Sequence, residues 1–179
     1  MKIVVCVRVG TDGEPNPFDA SAYEVALATT GAEVILLSMG AEKTADTLEK
    51  MTRLGASRAV LLCDRAFAGA DTLATAYALS CAVKKIAPDR IICGRKTLIG
   101  DTGQVPPMLA ELLGYDFISN VLSADEKSAV TRDGTREIKD HTVLAVEKQA
   151  VLRLPSLFSR TVTPEIMTAD AIRAEKERC

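Results

Sequence analysis

Ile3-Val4-Val5-Cys6-Val7 is an unbroken apolar run close to the start of the chain, and it points to the architecture. A strand with one wet face alternates apolar and polar residues, whereas a continuous run is what a strand covered on both faces requires. Three further runs repeat the pattern: Val34-Ile35-Leu36-Leu37, Ala59-Val60-Leu61-Leu62-Cys63 and Ile91-Ile92-Cys93. Segments of helical period lie between them. Phe18 to Thr30 places Tyr23, Ala26 and Leu27 on one side. Ala41 to Leu54 spaces Leu48, Met51 and Leu54 by three, and Gly55 stops it. Asp71 to Ile86 presents Leu79, Ala82, Val83 and Ile86, and Pro88 bars further helix. The order β-α-β-α-β-α-β with short loops predicts a Rossmann-like, doubly wound α/β fold, a mostly parallel sheet with helices on both faces.

A fourth helix follows Thr102, with Val105 to Leu113 as its body and Gly114 as its end; Pro106 and Pro107 fit its first turn, where a missing N–H costs little. Beyond Gly114 the pattern changes. Phe117 to Leu122, His141 to Glu147 and Ala150 to Leu154 read as strands, and Asp133-Gly134 as a turn. These predict a few antiparallel or edge strands in the C-terminal third. Mixed charges at helical spacing from Glu165 to Arg178 predict an exposed terminal helix. With no internal repeat, low-complexity stretch or linker, residues 1–179 read as a single domain, in which 1–114 form the core βαβ units and 115–179 complete the sheet.

Composition narrows the function. The 179 residues are 47% hydrophobic, 26% charged and only 4% aromatic, a mixture that supports a sizeable core built from small aliphatic side chains. A formal net charge of −2 argues against a phosphate backbone as principal partner, so no nucleic acid is expected. No apolar run reaches the roughly 18 residues that a membrane span needs, and the N-terminus reads as a strand rather than a signal peptide. Cys6, Cys63, Cys81, Cys93 and Cys179 include no CxxC pair and His141 is the sole histidine, so no metal or iron–sulfur site is expected. An odd number of cysteines without a disulfide framework points to a reducing, cytoplasmic setting.

In an open parallel sheet, ligands bind beyond the carboxyl ends of the strands, where strand order reverses. The residues that follow the apolar runs therefore matter: Cys6 to Val9, Ser38-Met39-Gly40, Asp64, and above all Gly94-Arg95-Lys96-Thr97-Leu98-Ile99-Gly100-Asp101-Thr102-Gly103-Gln104. This last stretch combines three glycines, two cations and a helix start. Peptide N–H groups around Thr102 to Val105, at the positive end of the helix, favour an anion such as a phosphate; the competing reading is a strand-to-helix loop whose polar residues face water. The spacing of Gly94 and Gly100 and the Asp101 that follows exclude a P-loop, and no GxGxxG fingerprint occurs. His141 has no nucleophile near it in sequence, Asp19 and Asp71 are placed to cap helices, and Arg8 reaches either a ligand or solvent. No catalytic constellation emerges.

Taken in order, these stretches resemble the β subunit of electron-transfer flavoproteins. MKIVVCVR is similar to that family's opening strand and Asn16-Pro17-Phe18-Asp19 to its N-P-F-D/C start of the first helix. Leu37-Ser38-Met39-Gly40, Leu54-Gly55-Ala56-Ser57-Arg58-Ala59 and Gly69-Ala70-Asp71-Thr72-Leu73-Ala74-Thr75-Ala76 follow its pattern, and Gly94-Arg95 with Gly100-Asp101-Thr102-Gly103-Gln104-Val105 resembles its G-R-Q-A-I-D-G-D-T-G-Q-V segment. The resemblance implies an adenine-nucleotide-binding domain without bond-making chemistry, holding AMP, or a second FAD in the electron-bifurcating branch. It also implies pairing with an FAD-carrying α subunit and service between an acyl-CoA or other dehydrogenase and an acceptor. Carried over by position, the nucleotide touches Cys6 through its backbone, Asn16, Pro17, Phe18, Asp19, Ser38, Met39, Gly94, Arg95, Gly100, Asp101, Thr102, Gly103, Gln104 and Val105. The chain departs from the family in a short excursion, Val9 to Pro15, in Lys96, Thr97, Ile99 and Pro106, in lacking an N-E-P-R-Y segment after Leu154-Pro155, and in a tail that stops early at Cys179.

Two other readings use related folds. An ATP-binding regulatory module resembling the universal stress proteins needs a Gly ten positions after Gly103, where Leu113 stands. An enzyme cleaving ATP between its α and β phosphates needs S-G-G-x-D-S after the first strand, where Val9-Gly10-Thr11-Asp12-Gly13 stands.

Overall fold

The computed structural model describes residues 1–97, 102–149 and 151–179. The first two thirds alternate as expected: β1 (Lys2–Cys6), α1 (Pro17–Leu27), β2 (Glu33–Met39), α2 (Thr44–Thr52), β3 (Arg58–Leu62), α3 (Thr72–Ile86), β4 (Arg90–Gly94) and α4 (Val105–Leu113). There follow β5 (Asp116–Ala124), β6 (Ser128–Thr131), β7 (Gly134–Glu137), β8 (Thr142–Val146) and β9 (Glu165–Met167). The described residues form a nine-stranded sheet in the order β7-β6-β5-β8-β4-β1-β2-β3-β9. All neighbours pair parallel except β5 with β6 and β6 with β7.

The continuous apolar runs follow from burial on both faces. Ile3, Val5, Leu36, Leu61 and Ile92 pack beneath Ala22, Tyr23 and Ala26 of α1 and Leu48 and Met51 of α2. Val4, Cys6, Leu37, Val60, Ile91 and Cys93 face the other way, against α3 and Leu109 of α4. Tyr23, fully buried, carries its hydroxyl into the first layer by donating to the Met51 carbonyl (3.0 Å) and accepting from the Ala56 amide (2.9 Å). Burial pushes its pKa up, since ionisation there would strand a charge.

Helix ends behave largely as their residues dictate. Asp71 caps α3, accepting from the Ala74 amide at 2.8 Å, and Pro88 lies just past its end. Pro106 and Pro107 occupy the first turn of α4, and Gly114, at φ +68°, closes it in the left-handed region that only glycine enters freely. Asp19 is a correction. It does not cap α1, whose N-cap is Asn16 with no side-chain capping bond and Pro17 as first residue.

The C-terminal third differs from expectation in three places. The strand around His141 to Glu147 is no edge piece: β8 lies inside the sheet between β4 and β5, parallel to both, with all five residues buried. The edge is instead the β6–β7 hairpin, which turns at Arg132-Asp133, one residue earlier than expected, with Gly134 already paired to Thr131. Residues 151–154 form no strand; Arg153 is tied to Glu24 of α1 through its amide (2.7 Å) and guanidinium (2.8 Å). Nor is 165–178 a helix. β9 covers the open edge of β3, and Ala169, Ile172 and Ala174 are buried in the α3 layer before a short 3-10 turn at Lys176–Arg178. Beyond β9 the chain makes one tight turn rather than a helix: the Ile172 amide donates to the Thr168 carbonyl, the Ala174 amide donates to the Ala169 carbonyl, and Arg173, at φ +55°, ends it. An uncovered β3 would expose its ladder of N–H and C=O groups, a reason for the tail to dock there.

Candidate functional site

Strand order reverses between β1 and β4: β2 and β3 lie to one side of β1, and β8 and β5 lie beyond β4. A crevice of about 420 Å³ opens at the carboxyl ends of these strands, within the roughly 300–1,000 Å³ typical of small-molecule sites. Cys6 and Cys93 line its floor, Leu37 and Met39 one side, and Gly94 to Thr97 and Thr102 to Pro106 the rim.

Asp19 organises the reversal point. Its Oδ2 accepts the Arg8 amide at 2.8 Å and its Oδ1 the Gly94 amide at 3.0 Å, so one buried carboxylate ties the end of β1 to the end of β4. Burial raises its pKa from 3.8 to about 7, against the pull of the Arg8 amide, the Asn16 side chain and the Gly94 amide. Gly94 is required here by close approach: a Cβ on it would stand 2.6 Å from the Phe18 Cβ and 2.7 Å from the Asp19 nitrogen.

The other expected residues divide into those in the crevice and those behind it. Cys6, Asp19, Met39, Gly94, Arg95, Thr102, Gly103, Gln104 and Val105 line it. Asn16, Pro17, Phe18 and Ser38 do not. Asn16 is buried and donates to the Lys96 carbonyl at 3.0 Å, holding the rim from below. Phe18 lies beneath the cations of Arg95 (6.0 Å from the ring centroid) and Lys96 (5.7 Å). Pro17 starts α1, and Ser38 is buried within β2. Gly100 and Asp101 lie outside the described residues.

Sequence reasoning missed the contribution of α3. Thr72, Thr75 and Leu79 line the crevice from one face of that helix, at spacings of three and four. The signal was present, because α3 follows β3 and begins at the same end of the sheet. Arg8, left open between ligand and solvent, lines the crevice, and its Nη1 lies 3.4 Å from Thr97 Oγ1. His141 belongs to the opposite end, where it precedes β8, stacks on Tyr115 at 5.0 Å and donates its amide to the Asp89 carbonyl.

Charge around the rim is partly spoken for. Arg95 lies 2.6 Å from the buried Glu147 carboxylate, which also has Arg132 at 3.6 Å. No acceptor among the described residues pairs with the amides of Thr102, Gly103, Gln104 or Val105, and Gly103, at φ +62°, turns the chain into α4. Pro106 and Pro107 bring no N–H of their own, so the donors available at this helix start are those preceding them. Unclaimed amides beside cations suit an anionic group, and the apolar side formed by Leu37 and Met39 suits a flat ring. The residues present thus fit a phosphorylated nucleoside. Among the described residues, no cluster of His, Cys, Asp or Glu suits a metal ion.

Fold and crevice together define an open, doubly wound α/β protein with a crevice at its topological switch point. The chain belongs to the electron transfer flavoprotein β-subunit family: the electron transfer flavoprotein domain matches residues 3–178. It is 49% identical over 185 residues to Protein FixA of Azorhizobium caulinodans, covering 95% of this chain and 64% of that protein. It is 37% identical over 187 residues to the electron transfer flavoprotein subunit beta of Thermoanaerobacterium thermosaccharolyticum, covering 95% of this chain and 72% of that protein. A third relative, Protein FixA of Bradyrhizobium diazoefficiens, is 36% identical over 187 residues, of which this chain spans 63% of the length. The chain therefore spans just under two thirds of the length of these FixA relatives.

Proposed function

We propose that this chain is the nucleotide-holding, non-catalytic β subunit of a cytoplasmic electron carrier. It binds AMP, or a second FAD, in the switch-point crevice and pairs with an FAD-carrying α subunit to pass electrons between a dehydrogenase and an acceptor. The observation that carries this reading is the stretch Thr102 to Val105, whose amides find no acceptor among the described residues and which lines the crevice together with Arg8 and Lys96. In this reading those amides hold a phosphoryl group and Leu37 and Met39 flank the base, while Asp19 keeps β1 and β4 at the separation the ligand needs. A bound FAD would supply one- or two-electron chemistry; AMP would supply none and serve as a structural ligand.

A second observation supports a protein partner. Gln149 and residues 151–162 form a strap over α1 and α2, fixed by Gln149 to Ser21, Arg153 to Glu24 and Val162 to Thr52. Between and beside these anchors, Val151, Leu154, Leu157 and Phe158 are each more than 90% exposed. Four large apolar side chains left in water along one short segment suit an interaction site better than an isolated exposed residue does.

The test is to purify the chain alone and with a co-expressed flavoprotein α subunit, then release and identify the bound small molecule by mass spectrometry. AMP or FAD retained by the chain, with a yellow complex on size exclusion, is the expected result. Retained ATP would favour a regulatory module. A colourless, nucleotide-free chain that ignores the α subunit would overturn the reading.

A further inference from the structure

We propose that Cys6 and Cys93 are a dithiol site that closes reversibly into a disulfide between β1 and β4 at the floor of the crevice. The two are direct register partners on adjacent parallel strands. Neighbouring strands stand about 4.7–4.9 Å apart, inside the range of about 4.4–6.8 Å between Cα atoms that a disulfide spans. Both side chains point to the same face, since both belong to the apolar layer under α3. The Cys6 side chain lies close enough to the Cys93 thiol to help raise it above its usual range. Both are free and both line the crevice, which gives small reagents a route to otherwise buried sulfur. Cys63, by contrast, packs in the opposite layer.

The neighbouring Cys6 side chain and burial push the Cys93 thiol well above its usual range, so Cys93 rests as a thiol at neutral pH and alkaline conditions speed its exchange. The co-reactant is a small disulfide. Cys6, the more exposed of the two, loses its proton to solvent and attacks one sulfur of the reagent, whose S–S bond breaks to release the first thiolate. Cys93 then loses its proton and attacks the Cys6 sulfur of the mixed disulfide, expelling the second thiolate. Both leaving thiolates take up protons, so two cysteine thiols are oxidised, one reagent disulfide is reduced to two thiols, and the net proton change is zero. The new bond joins the two strands whose ends Asp19 already ties together, one position inside Gly94.

The experiment incubates the folded full chain with oxidised glutathione at mildly alkaline pH, traps remaining thiols with N-ethylmaleimide, and maps disulfides by mass spectrometry of a non-reduced digest. The expected product is a cross-linked peptide pair joining Cys6 and Cys93, reversed by dithiothreitol. In Cys93→Ser the cross-link is lost and Cys6 carries glutathione instead. Glutathione remaining on Cys6 of the unsubstituted chain without cross-linking, neither cysteine reacting, or cross-links confined to other cysteines would each overturn the proposal. The mapping on the unsubstituted chain stands whether or not the serine variant folds.

Discussion

Gly94→Ala tests the packing that creates the crevice. The added methyl carbon would lie 2.6 Å from the Phe18 Cβ and 2.7 Å from the Asp19 nitrogen, and it also strikes the Asp19 carboxylate. Carbon atoms in contact prefer about 3.5–4.0 Å, so β4 and the start of α1 must separate by about an ångström. Two of the obstructing atoms are backbone or Cβ and cannot rotate away. Overpacking of this kind costs about 1–3 kcal/mol. Separating the strand from the helix also breaks the 3.0 Å bond from the Gly94 amide to Asp19, which adds about 1–3 kcal/mol for a buried carboxylate losing a donor. The sum, about 2–6 kcal/mol, lowers the melting temperature by roughly 4–24 °C for a chain of this size. Urea and thermal unfolding measure it. Gly40→Ala is the control: its Cβ would meet only the Thr44 side chain, with Oγ1 at 2.7 Å, which rotates aside, so its cost stays under about 1 kcal/mol. Equal stabilities for the two variants would refute the close-approach argument.

Further outcomes follow from the same site. The native pKa of Asp19, about 7, stands above its ordinary 3.8, so the folded state binds the extra proton; the stabilisation is complete below the lower value and is lost as pH rises through the higher one. From about pH 5.5 to about pH 8 this amounts to about 2 kcal/mol, which Asp19→Asn removes; parallel pH–stability curves for the two proteins would contradict it. Gly103→Val forces a β-branched residue to φ +62° with its Cβ 3.1 Å from the Arg95 carbonyl; the strain of about 1–3 kcal/mol weakens AMP binding by about 5- to 150-fold by calorimetry, and an unchanged Kd would count against the rim as a nucleotide site. Glu147→Gln leaves Arg95 without its buried counter-charge and costs about 1–3 kcal/mol, below the range for a fully buried pair because Arg95 is partly exposed; unfolding curves that superimpose on those of the parent would show the pair to be idle.

The parallel core was legible because burial on two faces leaves a signature inside each strand, and that signature needs no knowledge of neighbours. The same is true of Asp71, Pro106 and Gly114, whose roles are local. Strand order is not local. Thr142 to Val146 carries the continuous apolar signature, yet its seat between β4 and β5 depends on pairings with residues far away in sequence. Asp19 misled for the same reason: its position at the start of a helix suggested a cap, while its real partners are the amides of Arg8 and Gly94, the latter 75 residues distant. In the tail, charges on solvent-facing residues imitated a helical period, while the pairing of Glu165–Met167 with β3 rests on residues far earlier in the chain. The crevice rim was readable from glycines and cations next to a helix start, whereas the share of α3 in it required the helix to be placed above the sheet.

The claim on which the account turns is that the amides opening α4 receive a phosphoryl group. Titration of the isotopically labelled full chain with AMP, followed by amide NMR, measures this residue by residue. The account predicts saturable shifts that are largest at Gly103, Gln104 and Val105, with Gly94 and Arg8 moving with them. Shifts centred elsewhere, or none at saturating nucleotide, would contradict it.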